Sequence, residues 1–84
     1  MKYKLNPDAV FIEIGTEQFI KCCDKIFKVN SDAVNILCQT NKSIDIESLI
    51  PMLKNKGIEI SHSDLTDFFL NQIKTNILLE QQAL

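Results

Sequence analysis

Apolar and polar residues alternate along the first thirty residues, and this alternation predicts β-strands. Val10, Ile12 and Ile14 form one side of the first run, which is the period-2 pattern of a half-buried strand. Gly15 ends that run and predicts a turn, and the polar corner at Asp24 predicts a second turn. Because the runs follow each other closely, an antiparallel meander is expected. The three predicted strands cover residues 10–14, 18–22 and 25–29.

The rest of the chain has the apolar spacing of helices. Asn30 or Ser31 can cap a first helix that starts near Asp32, because these side chains accept hydrogen bonds from free N–H groups of the first turn. Ser61 opens another predicted helix, with an acidic residue three positions later as in a capping box. This last helix is expected to run to Thr75 or one residue further.

Between these two, Asp45 can cap a second helix that Gly57 closes. Pro51 lies inside this segment, where it would remove a backbone hydrogen bond and clash with the preceding turn. The sequence therefore predicts either a helix that starts later, near Ser48, or a helix that is kinked.

Three strands followed by three helices predict an α+β domain of winged helix-turn-helix type, with a three-stranded antiparallel sheet. The 84 residues suit a single domain over 1–84. Residues 77–79 can add a last extended piece, and about 80–84 are expected to form a frayed tail.

Composition and charge exclude several classes of function. The longest apolar runs are four or five residues, whereas a transmembrane helix needs roughly 20, so no membrane segment is expected. The N-terminal segment has no apolar stretch typical of a secretory signal, which predicts the cytoplasm. The net charge is -2 and every basic residue is lysine. Nucleic acid is therefore not an expected partner, because DNA-binding proteins usually have a basic surface and arginines that contact guanine.

No catalytic motif is present in the sequence. The three cysteines, Cys22, Cys23 and Cys38, do not make a disulfide framework, and the vicinal pair would point to opposite faces of a strand. His62 is the only histidine and is expected at an exposed helix start. We therefore expect no catalytic residue, no metal site and no cofactor.

The third predicted helix has more apolar surface than one packing face needs. Leu65, Phe69 and Ile73 form the core stripe, and Phe68 and Leu70 lie about 60° beyond it on either side. The apolar arc is about 200° wide, whereas a core-facing stripe is roughly 100° wide. Either strands cover both flanks, or the excess lines a hydrophobic trough beside the helix.

The third predicted strand lies at an edge of the meander. Its unpaired N–H and C=O groups can accept an extended peptide as an additional strand. Lys25 and Lys28 on this strand would attract an acidic peptide, although edge lysines also protect against aggregation.

Four segments match the pattern of a known family in their order and spacing. Phe27-Lys28-Val29-Asn30 corresponds to the end of a third strand, where the family has Leu-Asn. Residues 45–49 correspond to a capped second helix, and residues 61–73 to a Phe-Leu helix. Leu78-Leu79 is the closing apolar pair, and Asn76-Ile77 replaces the usual glycine before it. From about Leu5 to Leu79 the chain thus resembles the PqqD-like domains, also called RiPP recognition elements.

The resemblance implies a non-catalytic domain that binds the leader of a ribosomally synthesised precursor peptide. The leader would add as a strand, antiparallel to the third strand, in the groove between that strand and the third helix. A separate peptide-modifying enzyme or leader peptidase would be the second partner, and the open strand edge by itself also allows a homodimer. The groove residues implied by position are Lys25, Ile26, Phe27, Lys28, Val29, Asp67, Phe68, Leu70, Asn71 and Lys74.

Two alternative functions use the same predicted fold. A winged-helix DNA-binding regulator would read DNA with the third helix, but Asp64 and Asp67 against a single lysine there would repel phosphate. A generic protein-interaction subunit would use the strand edge to hold a large folded partner. Gel-shift affinity would favour the regulator, and co-purification without affinity for a short peptide would favour the subunit.

Overall fold

A computed structural model describes residues 2–81, which form five strands and three α-helices. The elements are β1 (Lys2–Leu5), β2 (Val10–Ile14), β3 (Glu17–Cys22), β4 (Lys25–Val29), α1 (Ser31–Cys38), α2 (Ile46–Asn55), α3 (His62–Lys74) and β5 (Leu78–Gln81). A short 3-10 turn, Gln39–Asn41, follows α1. The α+β class with antiparallel sheets and three helices is confirmed.

The three predicted strands form one antiparallel sheet in the order β2-β3-β4. Two-residue loops join its strands, and the backbone of each loop has the positive φ that tight hairpins require. Gly15 has φ 63 at the first loop, while Cys23 and Asp24 have φ 55 and φ 65 at the second. The second loop is therefore of type I′; Cys23 belongs to a residue type that rarely adopts this region, whereas aspartate, as at position 24, adopts it more readily.

A second sheet was not predicted. β1 pairs antiparallel with β5, from Lys2 opposite Gln81 to Leu5 opposite Leu78, and Tyr3 also bridges to Ile44. The sequence predicted that all strands precede the helices, and this order is wrong because β5 follows α3. The tail that was expected to be frayed from about residue 80 is strand through Gln81, and residues 82–84 lie outside the described part.

Side chains cap all three helices at the predicted positions. Asn30 accepts a hydrogen bond from the N–H of Ala33 at 2.7 Å, which settles the choice between Asn30 and Ser31. Asp45 and Ser61 accept bonds three residues ahead in the same way, at 2.8 and 3.0 Å. Each cap satisfies one N–H that the helix itself leaves free.

Pro51 lies in the interior of α2, which begins at Ile46. The predicted later start near Ser48 is therefore wrong. The ring nitrogen of Pro51 cannot donate to the carbonyl of Glu47, so α2 has one fewer backbone bond than its length allows. Burial of Leu49 and Leu53 on the opposite face of the same helix offsets this loss.

The core lies between the three-stranded sheet, the helices and the β1–β5 pair. Phe69 of α3 is fully buried, and the ring of Tyr3 meets it edge-on with centroids 4.9 Å apart. Such a contact adds to the burial term because the ring edge is attracted to the ring face. The other fully buried large side chains are Ile20, Leu37, Leu49, Leu53, Leu65, Ile77 and Leu78.

The first predicted strand is correct in extent, and the side of it that carries Phe11 is the one that packs against the core. Phe11 packs against the core, whereas Val10 and Ile14 are 54% and 65% exposed. The period of two indicates only that two faces exist, and the helices of this chain cover the Phe11 face. The three-stranded sheet therefore presents an apolar face to solvent.

Candidate functional site

One edge of the three-stranded sheet is formed by β4, which pairs only with β3 among the described strands. Cys22 and Lys25 flank the two-residue type I′ loop, so they form a hydrogen-bonded pair. From there along β3 and β4, hydrogen-bonded pairs alternate with pairs that are not hydrogen-bonded. Lys25, Phe27 and Val29 thus bond to β3. The N–H and C=O groups of Ile26 and Lys28 point away from the sheet, and we call these groups the outward edge of β4.

The five side chains of β4 divide between the two sides of the sheet. Phe27 and Val29 are half-buried and pack against the core, while Ile26 is 62% exposed on the other side. Lys25 and Lys28 are both exposed. The Lys28 Nζ lies 3.2 Å from Glu17 Oε1, so its charge is already partly matched within the chain. Lys25 is therefore the more available cation for an acidic ligand.

The helical residues of the predicted groove lie along the solvent side of α3. Asp67, Asn71 and Lys74 are exposed, and Leu70 is 47% exposed, so the predicted surplus of apolar surface is present at that position. Phe68 is half-buried and packs against the core instead.

Phe68 and Leu70 do not share a flank of α3. Residues two positions apart on a helix point in directions about 200° apart, so the side chains of Phe68 and Leu70 lie on opposite sides of the solvent face. Leu70 follows His62 and Thr66 at spacings of four, and those two residues form a shallow pocket with Tyr3 of β1. A groove between α3 and β4 can therefore include Phe68 or Leu70, but not both.

Hydrogen bonds attach the β3–β4 loop to the C-terminal end of α3. The carbonyl of Asn76 accepts from Asn6 Nδ2 at 2.8 Å and lies 3.5 Å from Cys22 Sγ. Asn76 has φ 64, so the backbone passes through the left-handed region directly after the C-terminal end of α3. This contact positions the start of β4 beside the end of α3. Sequence reasoning missed Asn6, whose partner is seventy residues away.

The vicinal thiols do not point to opposite faces, as a continuous strand would require. Cys23 leaves the strand at the type I′ loop, and its Sγ lies 3.5 Å from Cys22 Sγ. Burial raises the pKa of the Cys22 thiol to about 11, and the neighbouring Cys23 adds to the effect. Within residues 2–81, no group of three or more His, Cys, Asp or Glu side chains has an arrangement that could hold a metal ion.

His62 has two side-chain neighbours, Glu47 and Thr66. Its Nε2 lies 3.2 Å from Glu47 Oε1, and its Nδ1 lies 3.4 Å from Thr66 Oγ1. The Thr66 hydroxyl donates instead to the backbone carbonyl of His62 at 2.8 Å, so the imidazole does not take its proton. Both members of the His62–Glu47 pair are more than half exposed, which leaves the three groups open to water. The arrangement does not activate a nucleophile.

Two surface depressions of about 440 Å³ each contain no residue of β4. One lies between α2 and the start of α3, and the other surrounds the β3–β4 loop. The site at β4 is an open strand edge, which suits an extended chain better than a small molecule.

No protein-family model, curated protein or solved structure matches the chain. None of the helices in the described part is long and apolar enough to cross a membrane. Function is therefore inferred from the strand edge, its surroundings and the resemblance in sequence.

Proposed function

We propose that the chain is a non-catalytic recognition domain that binds the leader of a ribosomally synthesised precursor peptide and presents it to a separate modifying enzyme or leader peptidase in the cytoplasm. The outward edge of β4 is the observation that supports this proposal most directly. In this proposal the helices, with β1 and β5, correspond to the winged helix-turn-helix of the PqqD-like domains.

The leader adds to β4 as a fourth strand of the sheet. Ile26 and Lys28 each offer one N–H and one C=O, which gives about four backbone bonds along the outward edge. At about 1 kcal/mol each, these bonds supply about 4 kcal/mol, or roughly a thousandfold in affinity. Backbone bonds do not distinguish one sequence from another, so side chains must provide the specificity.

The two sides of the added strand meet different surfaces. Side chains on one side lie beside the half-buried Phe27, where an apolar leader residue is favoured. Lys25 is exposed on that same side and attracts a carboxylate. An acidic leader with alternating apolar residues therefore fits this edge best.

The surface of α3 disfavours the nucleic-acid alternative. Asp64 and Asp67 are exposed on this helix, and Lys74 in its last turn is its only lysine or arginine. Two carboxylates on a recognition helix would repel the phosphates that supply most nonspecific affinity for DNA.

A binding measurement with a synthetic leader tests the proposal. The probe is the N-terminal half of a candidate precursor, that is, any short peptide whose reading frame is found next to this gene, labelled for fluorescence anisotropy. We expect a dissociation constant of about 1 μM or lower, and loss of binding in the Lys25→Glu variant. Glu13→Lys, a single charge change on the far strand β2, is the matched control. Failure of the peptide to bind the wild-type domain would refute the proposal.

The flank of α3 that faces the peptide is determined by a pair of variants. If Phe68 lines the groove, Phe68→Leu weakens binding and Leu70→Asp has little effect. If Leu70 lines it, the two results are exchanged. Unaffected binding in both variants would show that α3 takes no part in the site.

A further inference from the structure

The side of the three-stranded sheet that faces away from the helices is an exposed apolar surface. We call it the outer sheet face, and its apolar side chains are Val10, Ile12, Ile14, Phe19 and Ile26. Three of the six large apolar side chains that residues 2–81 expose lie here, at 54% for Val10, 65% for Ile14 and 62% for Ile26. Concentrated apolar exposure of this kind marks an interaction surface in small proteins.

The charges on this face have a symmetry that identifies the partner. Glu17, Phe19 and Lys21 point to the outer side of the central strand, with the aromatic ring between the two opposite charges. Consider a second copy related by a 180° rotation about an axis that is parallel to the sheet plane, at right angles to the strands and level with Phe19. The two outer faces then meet, and Glu17 of each copy lies opposite Lys21 of the other. The same rotation places Ile14 opposite Val10 and Ile12 opposite its own counterpart, as the register requires.

The alternative face-to-face arrangement, with the two-fold axis parallel to the strands, brings like charges together. An axis parallel to the strands would set Glu17 against Glu17 and Lys21 against Lys21, which is repulsive at both positions. In the favourable arrangement Lys28 is the only charged side chain of this face that meets its own counterpart, and Glu17 of the same chain already lies 3.2 Å from it.

We propose that the outer sheet face pairs with the outer sheet face of a second copy of this chain, so that two three-stranded sheets form a small sandwich. The face measures about 14 by 17 Å, from three strands about 4.8 Å apart and five residues of about 3.3 Å rise. An interface of this size buries less than the roughly 1,200 Å² of a standard interface, so the dimer is weak and reversible. The outward edge of β4 remains free in the dimer, because the sheets stack and do not join edge to edge.

Sedimentation equilibrium with complementary charge variants tests this pairing. The wild-type domain, from about 5 to about 500 μM, should pass from monomer to dimer. Glu17→Lys and Lys21→Glu should each weaken self-association at least about tenfold, because each places two like-charged pairs across the interface. An equal mixture of the two variants should associate more tightly than either variant alone, since each charge at positions 17 and 21 then meets its opposite.

Glu13→Lys is the matched control, because Glu13 is exposed on the same sheet but on its other side. It should dimerise like the wild type, and circular dichroism confirms the fold of each variant. A wild-type domain that remains monomeric at the highest concentration would overturn the proposal. So would wild-type association of both single variants, or a mixture that stays monomeric. Peptide binding by a monomeric domain would leave the proposed function intact, so the two proposals fail separately.

Discussion

Replacement of Ile26 by proline removes one donor from the outward edge of β4 and leaves the bonds to β3 in place. Ile26 is opposite Lys21 in a pair that is not hydrogen-bonded, so its N–H has no partner in β3. Its side chain is 62% exposed and takes no part in the core. Proline is tolerated on an edge strand at such a position, so we expect the fold to survive with a loss of about 1 kcal/mol or less.

The effect on peptide binding should be much larger. The missing N–H removes one of about four backbone bonds, and the ring holds the peptide away from the Ile26 carbonyl, which removes a second. Loss of about two bonds at about 1 kcal/mol each weakens binding by about 2 kcal/mol, which is roughly 30-fold.

Fluorescence anisotropy with the labelled leader measures the affinity, and urea unfolding measures the stability of the same samples. Ile26→Val keeps the N–H and serves as the matched control, with binding near that of the wild type. Phe27→Pro removes both a bond to β3 and a ring that packs against the core, and should cost about 3 kcal/mol or more of folding stability. If the Ile26→Pro domain is folded and binds the leader as tightly as the wild type, the peptide does not pair with this edge.

Three further predictions concern stability and thiol chemistry. Phe69→Ala should lower the free energy of unfolding by about 3–5 kcal/mol in a urea titration, because it empties a fully buried site beside Tyr3. Asp24→Gly should raise the free energy of unfolding by about 1 kcal/mol, since glycine adopts φ 65 without strain. A loss of stability would contradict the type I′ loop. The pKa of Cys22 is raised from 9.0 to about 11, so the unfolded state loses this proton first and stability should fall as pH rises from about 9 to about 11. The free energy of unfolding of the Cys22→Ala variant should not show this fall. If it decreases with pH at the same rate in both proteins between about pH 9 and 11, the assignment to Cys22 is refuted.

The local parts of this fold could be predicted from sequence because they depend on near neighbours. The three strands of the meander follow from alternation, and the caps at Asn30, Asp45 and Ser61 follow from side chains that reach N–H groups three residues away. The outward edge of β4 could also be predicted, because a meander leaves its last strand at an edge.

The features of the fold that the sequence did not predict depend on contacts between residues far apart in the chain. Nothing near Tyr3 indicates that it pairs with Glu80, or that Asn6 holds the turn at Asn76. Alternation in β2 indicated two faces, but the choice of Phe11 as the buried one depends on where the helices pack. The divergence of Phe68 and Leu70 was already present in the helical periodicity, whereas their assignment to one groove was not justified by it.

The pairing of β1 with β5 places the two ends of the described chain next to each other, with Lys2 opposite Gln81. Domains with adjacent ends tolerate circular permutation and insertion into other proteins. A few glycine and serine residues could close the chain into a ring, and new ends could be opened at the Gly15-Thr16 loop. The same proximity lets the domain be placed within a surface loop of a larger enzyme, entering and leaving at one point.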